Sequence, residues 1–247
     1  GSEMCIRDSS GSGASSVEGI NFKAMKGQTI GVIGGTGSGK SSLVNLIPRL
    51  YDATQGEVLV DGVNVKDYDI EALRNKVGIV MQKAVLFKGT IRENMWMGKK
   101  GATDEQIDEA LEISQSKEFV DSKQGRLDYV IEQGGKNLSG GQRQRLTIAR
   151  AIVRKPDVLI LDDSASALDF ATDAALRKAI RGMNNSPTVF IVSQRAASLM
   201  YADLIIVLDD GQVAGMGTHD ELLANCEVYK EIYESQFKKA DSEGGVA

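Results

Sequence analysis

The sequence predicts an α/β protein: a mainly parallel sheet core that carries an antiparallel β subdomain and an inserted helical subdomain. Three observations predict it. Short apolar, β-rich runs alternate with helical patterns, as they do where a parallel sheet is built from βαβ units. Two further runs are each interrupted by an Asp-Gly pair, the signature of a tight hairpin turn. From about Thr90 to Lys155 the strand patterns stop and helical ones take over.

The strands follow from these runs. TIGVIG (Thr29 to Gly34), VGIVMQ (Val77 to Gln82), VLILD (Val158 to Asp162) and TVFIVSQ (Thr188 to Gln194) read as buried strands, apolar on both faces. EVLVDGVNV and LIIVLDDGQVAG turn at Asp61-Gly62 and Asp210-Gly211 and read as hairpins. In TDEQIDEALEIS, Thr103 takes the N-cap position with Gln106 three residues on, the spacing of a capping box. Ile107, Ala110, Leu111 and Ser114 then share one helical face. The helix GQRQRLTIARAIVRK ends before Pro156, which has no N–H to continue it. The block from about residue 88 to 156 therefore reads as an insertion between two strands of one sheet. The opening GSEMCIRDSSGSGASS is rich in Ser and Gly, lacks periodicity and lacks the apolar stretch of a signal peptide. Residues 1–16 are read as a tag, linker or artefactual leader, with ordered structure expected from near Val17, a domain over 17–237 and a polar tail over 238–247.

Composition limits the function classes. With 247 residues, 42% of them hydrophobic, there is enough chain for one large domain or a core with a smaller inserted one. A formal net charge of -5 argues against non-specific attraction of nucleic acid. Two cysteines are too few for a disulfide framework or a metal cage. The single histidine, His219, excludes most Ser-His and multi-His chemistry from this chain alone. No apolar run approaches the roughly 18–20 residues of a membrane-spanning helix.

GGTGSGKSS, Gly34 to Ser42, fits G-x-x-x-x-G-K-[ST] and lies between a predicted strand and the helix SSLVNLI. That context makes it a P-loop and the core a P-loop NTPase (RecA-like) sheet. Gly34, Gly35, Thr36, Gly37, Ser38 and Gly39 would turn backbone N–H groups towards phosphate. Lys40 would reach the β- and γ-phosphates, Ser41 would ligate Mg²⁺, and Ser42 would follow at the head of the helix. Asp162, the acid ending an apolar strand, then sits where a P-loop protein places its Walker B acid near Mg²⁺.

NLSGGQRQR, Asn137 to Arg145, is the most specific string in the chain. Together with the P-loop, LDD and SALD, in this order and spacing, it resembles the ATP-binding cassette family from about Val17 to Phe237. FKGTIRENM, EQGGKNLSGGQRQR and GTHDELL resemble the exporter branch, whose cassettes follow a membrane domain on the same polypeptide. The resemblance implies ATP and Mg²⁺ as cofactors. It implies Gln82 as the Q-loop residue that touches Mg²⁺ and signals to the membrane domain, and Ser166 to Asp169 as the D-loop. It also implies head-to-tail pairing with a second cassette, on whose ATP Ser139, Gly140, Gly141 and Gln142 would close. Independently of the family, Ser139 and the two glycine amides stand at a helix N-terminus, where anions are favoured. The implied location is the cytoplasmic face of the cell membrane, and His219 is expected to be structural.

The chain departs from the family pattern in three places. Asp163 stands where the family has glutamate as general base or water-orienting group. One methylene fewer withdraws the carboxylate by roughly 1–1.5 Å, and misplacement of about 1 Å costs on the order of 100-fold in rate. Gln194 stands at the switch position, normally histidine; it donates a hydrogen bond to the γ-phosphate but carries no charge, and charge-assisted bonds are about twice as strong. These two changes predict a site that holds ATP and turns it over poorly, within a heterodimeric exporter whose other cassette carries Glu and His. Finally, no aromatic precedes Phe22, where the family stacks adenine, which predicts weakened adenine binding. Two rival readings are a soluble regulatory ATPase of the same superfamily and a cassette that binds ATP without hydrolysing it. Long coiled coils and a second cassette in the same chain, the marks of the soluble rivals, do not occur in this sequence.

Overall fold

A computed structural model of the protein describes residues 3–7, 17–164 and 167–243. In chain order its first elements are β1 (Glu3–Arg7), β2 (Asn21–Met25), β3 (Thr29–Gly34), α1 (Lys40–Asn45), β4 (Val58–Val60), β5 (Val63–Asn64), α2 (Ile70–Lys76) and β6 (Val77–Val80). There follow β7 (Gly89–Thr90), α3 (Ile91–Trp96), α4 (Asp104–Ile113), α5 (Lys117–Asp121), β8 (Val130–Ile131), α6 (Gly140–Ile152), β9 (Val158–Asp162) and α7 (Phe170–Arg181). The chain closes with β10 (Thr188–Val192), β11 (Leu204–Asp209), β12 (Gln212–Gly217), α8 (His219–Asn225) and α9 (Glu227–Glu243). It forms two compact units, Gly1–Arg74 with Thr188–Ala247, and Asn75–Pro187.

The first unit holds strands in the order β12-β11-β3-β10. β3 runs parallel to both neighbours, with Gly31 opposite Ile191 on one side and Ile205 on the other. All six residues of β3 are buried, as its unbroken apolar run predicts. Ile30 and Ile33 of this strand, and Phe190, Leu43 and Ile205 from other elements of the unit, are fully enclosed. Each such side chain contributes about 1.5–3 kcal/mol by leaving water. Both expected hairpins form. Asp61 and Gly62 have φ of 53° and 76°, and Asp210 and Gly211 have φ of 44° and 81°, the paired positive values of a two-residue turn.

A second sheet, ordered β2-β1-β4-β5, carries the main correction to the sequence expectation. Order does not begin near Val17: residues 3–7 of the supposed leader are strand β1, antiparallel to β2 with Ile6 opposite Phe22 and to β4 with Ile6 opposite Val58. The physical reason is backbone pairing. β2 and β4 each present an edge of N–H and C=O groups, and a central strand satisfies both edges whatever its flanking composition.

In the second unit β6 and β9 pair in parallel, Val77 opposite Val158 through Val80 opposite Leu161. The helical block lies between them in sequence. Thr103 caps α4 as expected, its hydroxyl accepting from the Gln106 amide while the Gln106 side chain accepts from the Thr103 amide. Ile107, Ala110, Leu111 and Ser114 are all buried. Strands do not wholly stop in this block: β7 and β8 form a two-residue antiparallel pair. The signature helix α6 ends at Ile152, three residues before the expected end, because Lys155 takes a φ of 54° and its amide turns back to the Ile152 carbonyl ahead of Pro156. Among the described residues no helix is long and apolar enough to cross a membrane.

Candidate functional site

The P-loop leaves β3 at Gly34 and enters α1 at Lys40. Glycine is required at 34 by close approach: a Cβ there would fall on the Leu208 carbonyl oxygen and 2.5 Å from Ser38 Oγ. Gly37 and Gly39 are required by conformation, with φ of 81° and 92°. Gly35, Thr36 and Gly37 are exposed, while Ser38 and Lys40 are buried beneath them. Ser41 is exposed and Ser42 half-buried at the start of α1. A Cβ on Gly35 or Gly37 would meet nothing within 4 Å, so the loop stands open on the side away from the sheet. The Lys40 ammonium folds back across it, donating to the Gly34 carbonyl at 2.9 Å, the Gly35 carbonyl at 2.5 Å and Ser38 Oγ at 3.4 Å. A buried ammonium at the start of a helix, in a loop of exposed glycines, attracts an incoming anion. The loop therefore fits a polyphosphate.

Gln194 lies in the same unit. It lies two residues past β10, whose Val192 pairs with Val32 of the parallel β3, so it leaves the sheet at the same carboxyl end as Gly34. Its side chain is exposed. The peptides around it are held: Ser193 N donates to Val32 O at 3.1 Å, and Gln236 of α9 bonds both Gln194 O, at 2.7 Å, and Ala196 N, at 2.9 Å. Nothing local in the sequence marked Gln236. His219 is structural as expected: its Nδ1 lies 2.8 Å from the hydroxyl of fully buried Tyr229, and its ring packs against Tyr233. Burial pushes the Tyr229 hydroxyl up to about 12, helped by the neighbouring Tyr233.

The second unit brings together Asp162, Asp163 and Gln82. The two adjacent carboxylates meet different surroundings. Asp162 ends β9 and is only 6% exposed, as a strand-end metal carboxylate would be. Asp163 is half-buried and has left the strand, with φ of 47°. This left-handed backbone is uncommon outside glycine, and Asp and Asn are among the few residues enriched there. Gln82, two residues past β6, donates from Nε2 to Asp163 Oδ2 at 3.1 Å. Among the described residues no three His, Cys, Asp or Glu gather as metal ligands. The donors present suit Mg²⁺ all the same, since that ion is commonly held by one or two carboxylates with water and substrate phosphate completing its shell.

The signature lies at the head of α6, also in the second unit. Ser139 is its N-cap: Ser139 Oγ accepts from Gln142 N at 3.2 Å, and Gln142 Oε1 accepts from Ser139 N at 3.1 Å. The S-G-G-Q string is thus a capping box as well as a family mark, a reading its S-x-x-Q spacing allows. Gly140 opens on empty space, and a Cβ on Gly141 would come 3.3 Å from the Ala167 carbonyl oxygen. Ser166 of the D-loop lies outside the described residues; Asp169 caps α7, its carboxyl held below the usual range by bonds from the Thr172 amide and hydroxyl. Arginines pin α6 to its surroundings through carbonyls. Arg143 donates to Leu138 O at 2.7 Å, and Arg150 donates to Val85 O at 3.0 Å, beside Gln82 in sequence.

Comparison with known proteins agrees with these features. The ABC transporter family profile matches residues 17–166, more than half of the chain. The chain is 45% identical over 224 residues to an uncharacterized ABC transporter ATP-binding protein, YfiB, of Bacillus subtilis, covering 91% of this chain and 39% of that protein. It is 40% identical over 217 residues to a Staphylococcus aureus protein described as a multidrug export ATP-binding/permease protein, covering 88% and 38%. The chain thus spans about two fifths of the length of these curated relatives. Among solved structures, a bacterial Atm1-family ABC exporter with ATP bound superposes with a TM-score of 0.89 at 30% identity, over 95% of this chain and 42% of that one. With its P-loop, its strand-end acids and its capped signature helix, the chain belongs to the ABC transporter family and is an ATP-binding domain homologous to those of ABC exporters.

Proposed function

We propose that this domain binds Mg-ATP, pairs head to tail with a second cassette and drives export through a membrane domain, while its own hydrolytic site turns over slowly. The P-loop residues Gly34 to Ser42 would hold the phosphates, with Lys40 exchanging loop carbonyls for phosphate oxygens. Ser41, Gln82 and Asp162 would hold Mg²⁺, which when bound neutralises phosphate charge. Gln194 would donate to the γ-phosphate. Ser139, Gly140, Gly141 and Gln142 would serve the partner's ATP rather than this chain's own.

One observation carries the slow-site reading: Asp163 replaces a longer glutamate, and its carboxylate already accepts from Gln82 at 3.1 Å. A general base must reach the water it activates at about 2.6–3.2 Å. A carboxylate that is one methylene short, and engaged elsewhere, meets that requirement poorly. The partner is then expected to be a different chain with Glu and His at the two positions, and the assembly to work at the cytoplasmic face of the membrane. Steady-state ATPase assays on this chain alone, and mixed with such a partner cassette, test the proposal. Low activity alone and high activity in the mixture are expected; rapid turnover by this chain alone contradicts it.

A further inference from the structure

We infer that Gln236, on the C-terminal helix, is a positioning residue for Gln194 and so sets how well this site distinguishes ATP from ADP. The inference rests on the assignment of Gln194 to the γ-phosphate made above. Its geometry does not: one side-chain amide bonds two main-chain groups two residues apart. Gln236 Nε2 donates to Gln194 O at 2.7 Å, and Gln236 Oε1 accepts from Ala196 N at 2.9 Å. The carbonyl can only accept and the N–H can only donate, so the amide has a single orientation that satisfies both.

The clamp completes a set of restraints around one residue. Ser193 is tied to β3 through its amide, and Ser193 Oγ accepts from Arg195 N at 2.9 Å. With Gln236 added, the chain is held on both sides of Gln194, although the residue itself is exposed. The far end of the clamp is anchored too. Tyr229 lies seven residues before Gln236, hence on the same face of α9; it is fully buried and bonded to His219. The anchored helix fixes where Gln236 can reach. Only glutamine supplies both a donor and an acceptor at this length: leucine has neither, glutamate lacks the donor, and asparagine is one methylene short.

A residue acting through Gln194 affects only nucleotides that reach it. Loss of the clamp is therefore expected to weaken ATP binding and to leave ADP binding unchanged. The test measures affinities of the 247-residue chain for a non-hydrolysable ATP analogue and for ADP, with Mg²⁺, in Gln194→Ala, Gln236→Leu, Gln236→Glu and the Gln194→Ala/Gln236→Leu double variant. Gln194→Ala and Gln236→Leu should each lower the ATP-to-ADP affinity ratio by about 3- to 10-fold, the size of one or two neutral hydrogen bonds. The double variant should fall no further than Gln194→Ala, because the second change acts through a side chain already removed. Gln236→Glu keeps the acceptor and the helix and should lower the ratio without lowering ADP affinity; it decides the matter if Gln236→Leu fails to fold. An unchanged ratio in the Gln236 variants, with a reduced one in Gln194→Ala, overturns the inference and leaves the γ-phosphate assignment standing. Multiplying effects in the double variant overturn it as well. An unchanged ratio in Gln194→Ala removes the assignment and the inference with it.

Discussion

Two glycine-rich loops enter helices in this chain, and they solve the same problem in opposite ways. At the signature, Ser139 and Gln142 satisfy one another's backbone amides, so α6 begins with a side-chain cap of its own. At the P-loop, Gly39 caps α1 with no side-chain bond, and the buried Lys40 ammonium donates to the Gly34 and Gly35 carbonyls of the loop itself. The first loop is capped from within; on the function proposed above, the second is completed by phosphate. If the signature serves another subunit's nucleotide, as proposed above, it has to keep its shape while it waits, whereas a loop that grips its own gains when phosphate completes it.

The difference is sharpest at Gly34. Alanine there would drive a methyl group into the Leu208 carbonyl, and we expect Gly34→Ala to cost about 3 kcal/mol, seen as a lower urea midpoint, and to abolish ATP binding. Lys40→Met should leave the domain folded yet reduce nucleotide affinity by about 100-fold in an equilibrium titration, the size of a lost charged hydrogen bond. At the other loop the pattern reverses. Ser139→Ala removes a cap and should cost about 1 kcal/mol of stability, while ATP binding by the unpaired chain stays as it was. Equal losses of binding from Lys40→Met and Ser139→Ala would erase the distinction between the loops. Asp163→Glu is expected to have the smallest effect on stability, a loss of about 0.5–1 kcal/mol in thermal melts, because the left-handed backbone at 163 suits aspartate better. The same change should raise turnover, so stability and activity would move in opposite directions.

Much of this was legible before any coordinates. β3 and β9 form over the expected residues because an uninterrupted apolar run suits a strand covered on both faces. The Asp61-Gly62 and Asp210-Gly211 turns follow from residues that tolerate positive φ, and the Thr103 cap from chemistry confined to four residues. Such signals are local, and so is the P-loop. What stayed hidden depends on distance or on pairing. β1 was masked by a Ser- and Gly-rich flank, and only its partners β2 and β4 give those residues a reason to be extended. The left-handed turn at Asp163 leaves no trace in an apolar pattern that has already ended. The Gln236 clamp joins groups 42 and 40 residues apart, on a helix whose polar positions look alike in sequence. The Ser139–Gln142 box was local and readable by its spacing, but the same letters also spell the family signature.

On the function proposed above, this chain holds ATP without readily cleaving it. Single-turnover hydrolysis of prebound, γ-labelled Mg-ATP tests it most directly, comparing the unaltered chain with the Asp163→Glu/Gln194→His variant. The account predicts that the label stays on ATP in the unaltered chain and is released on the order of 100-fold faster in the variant. Release from the unaltered chain as fast as from the variant would contradict it.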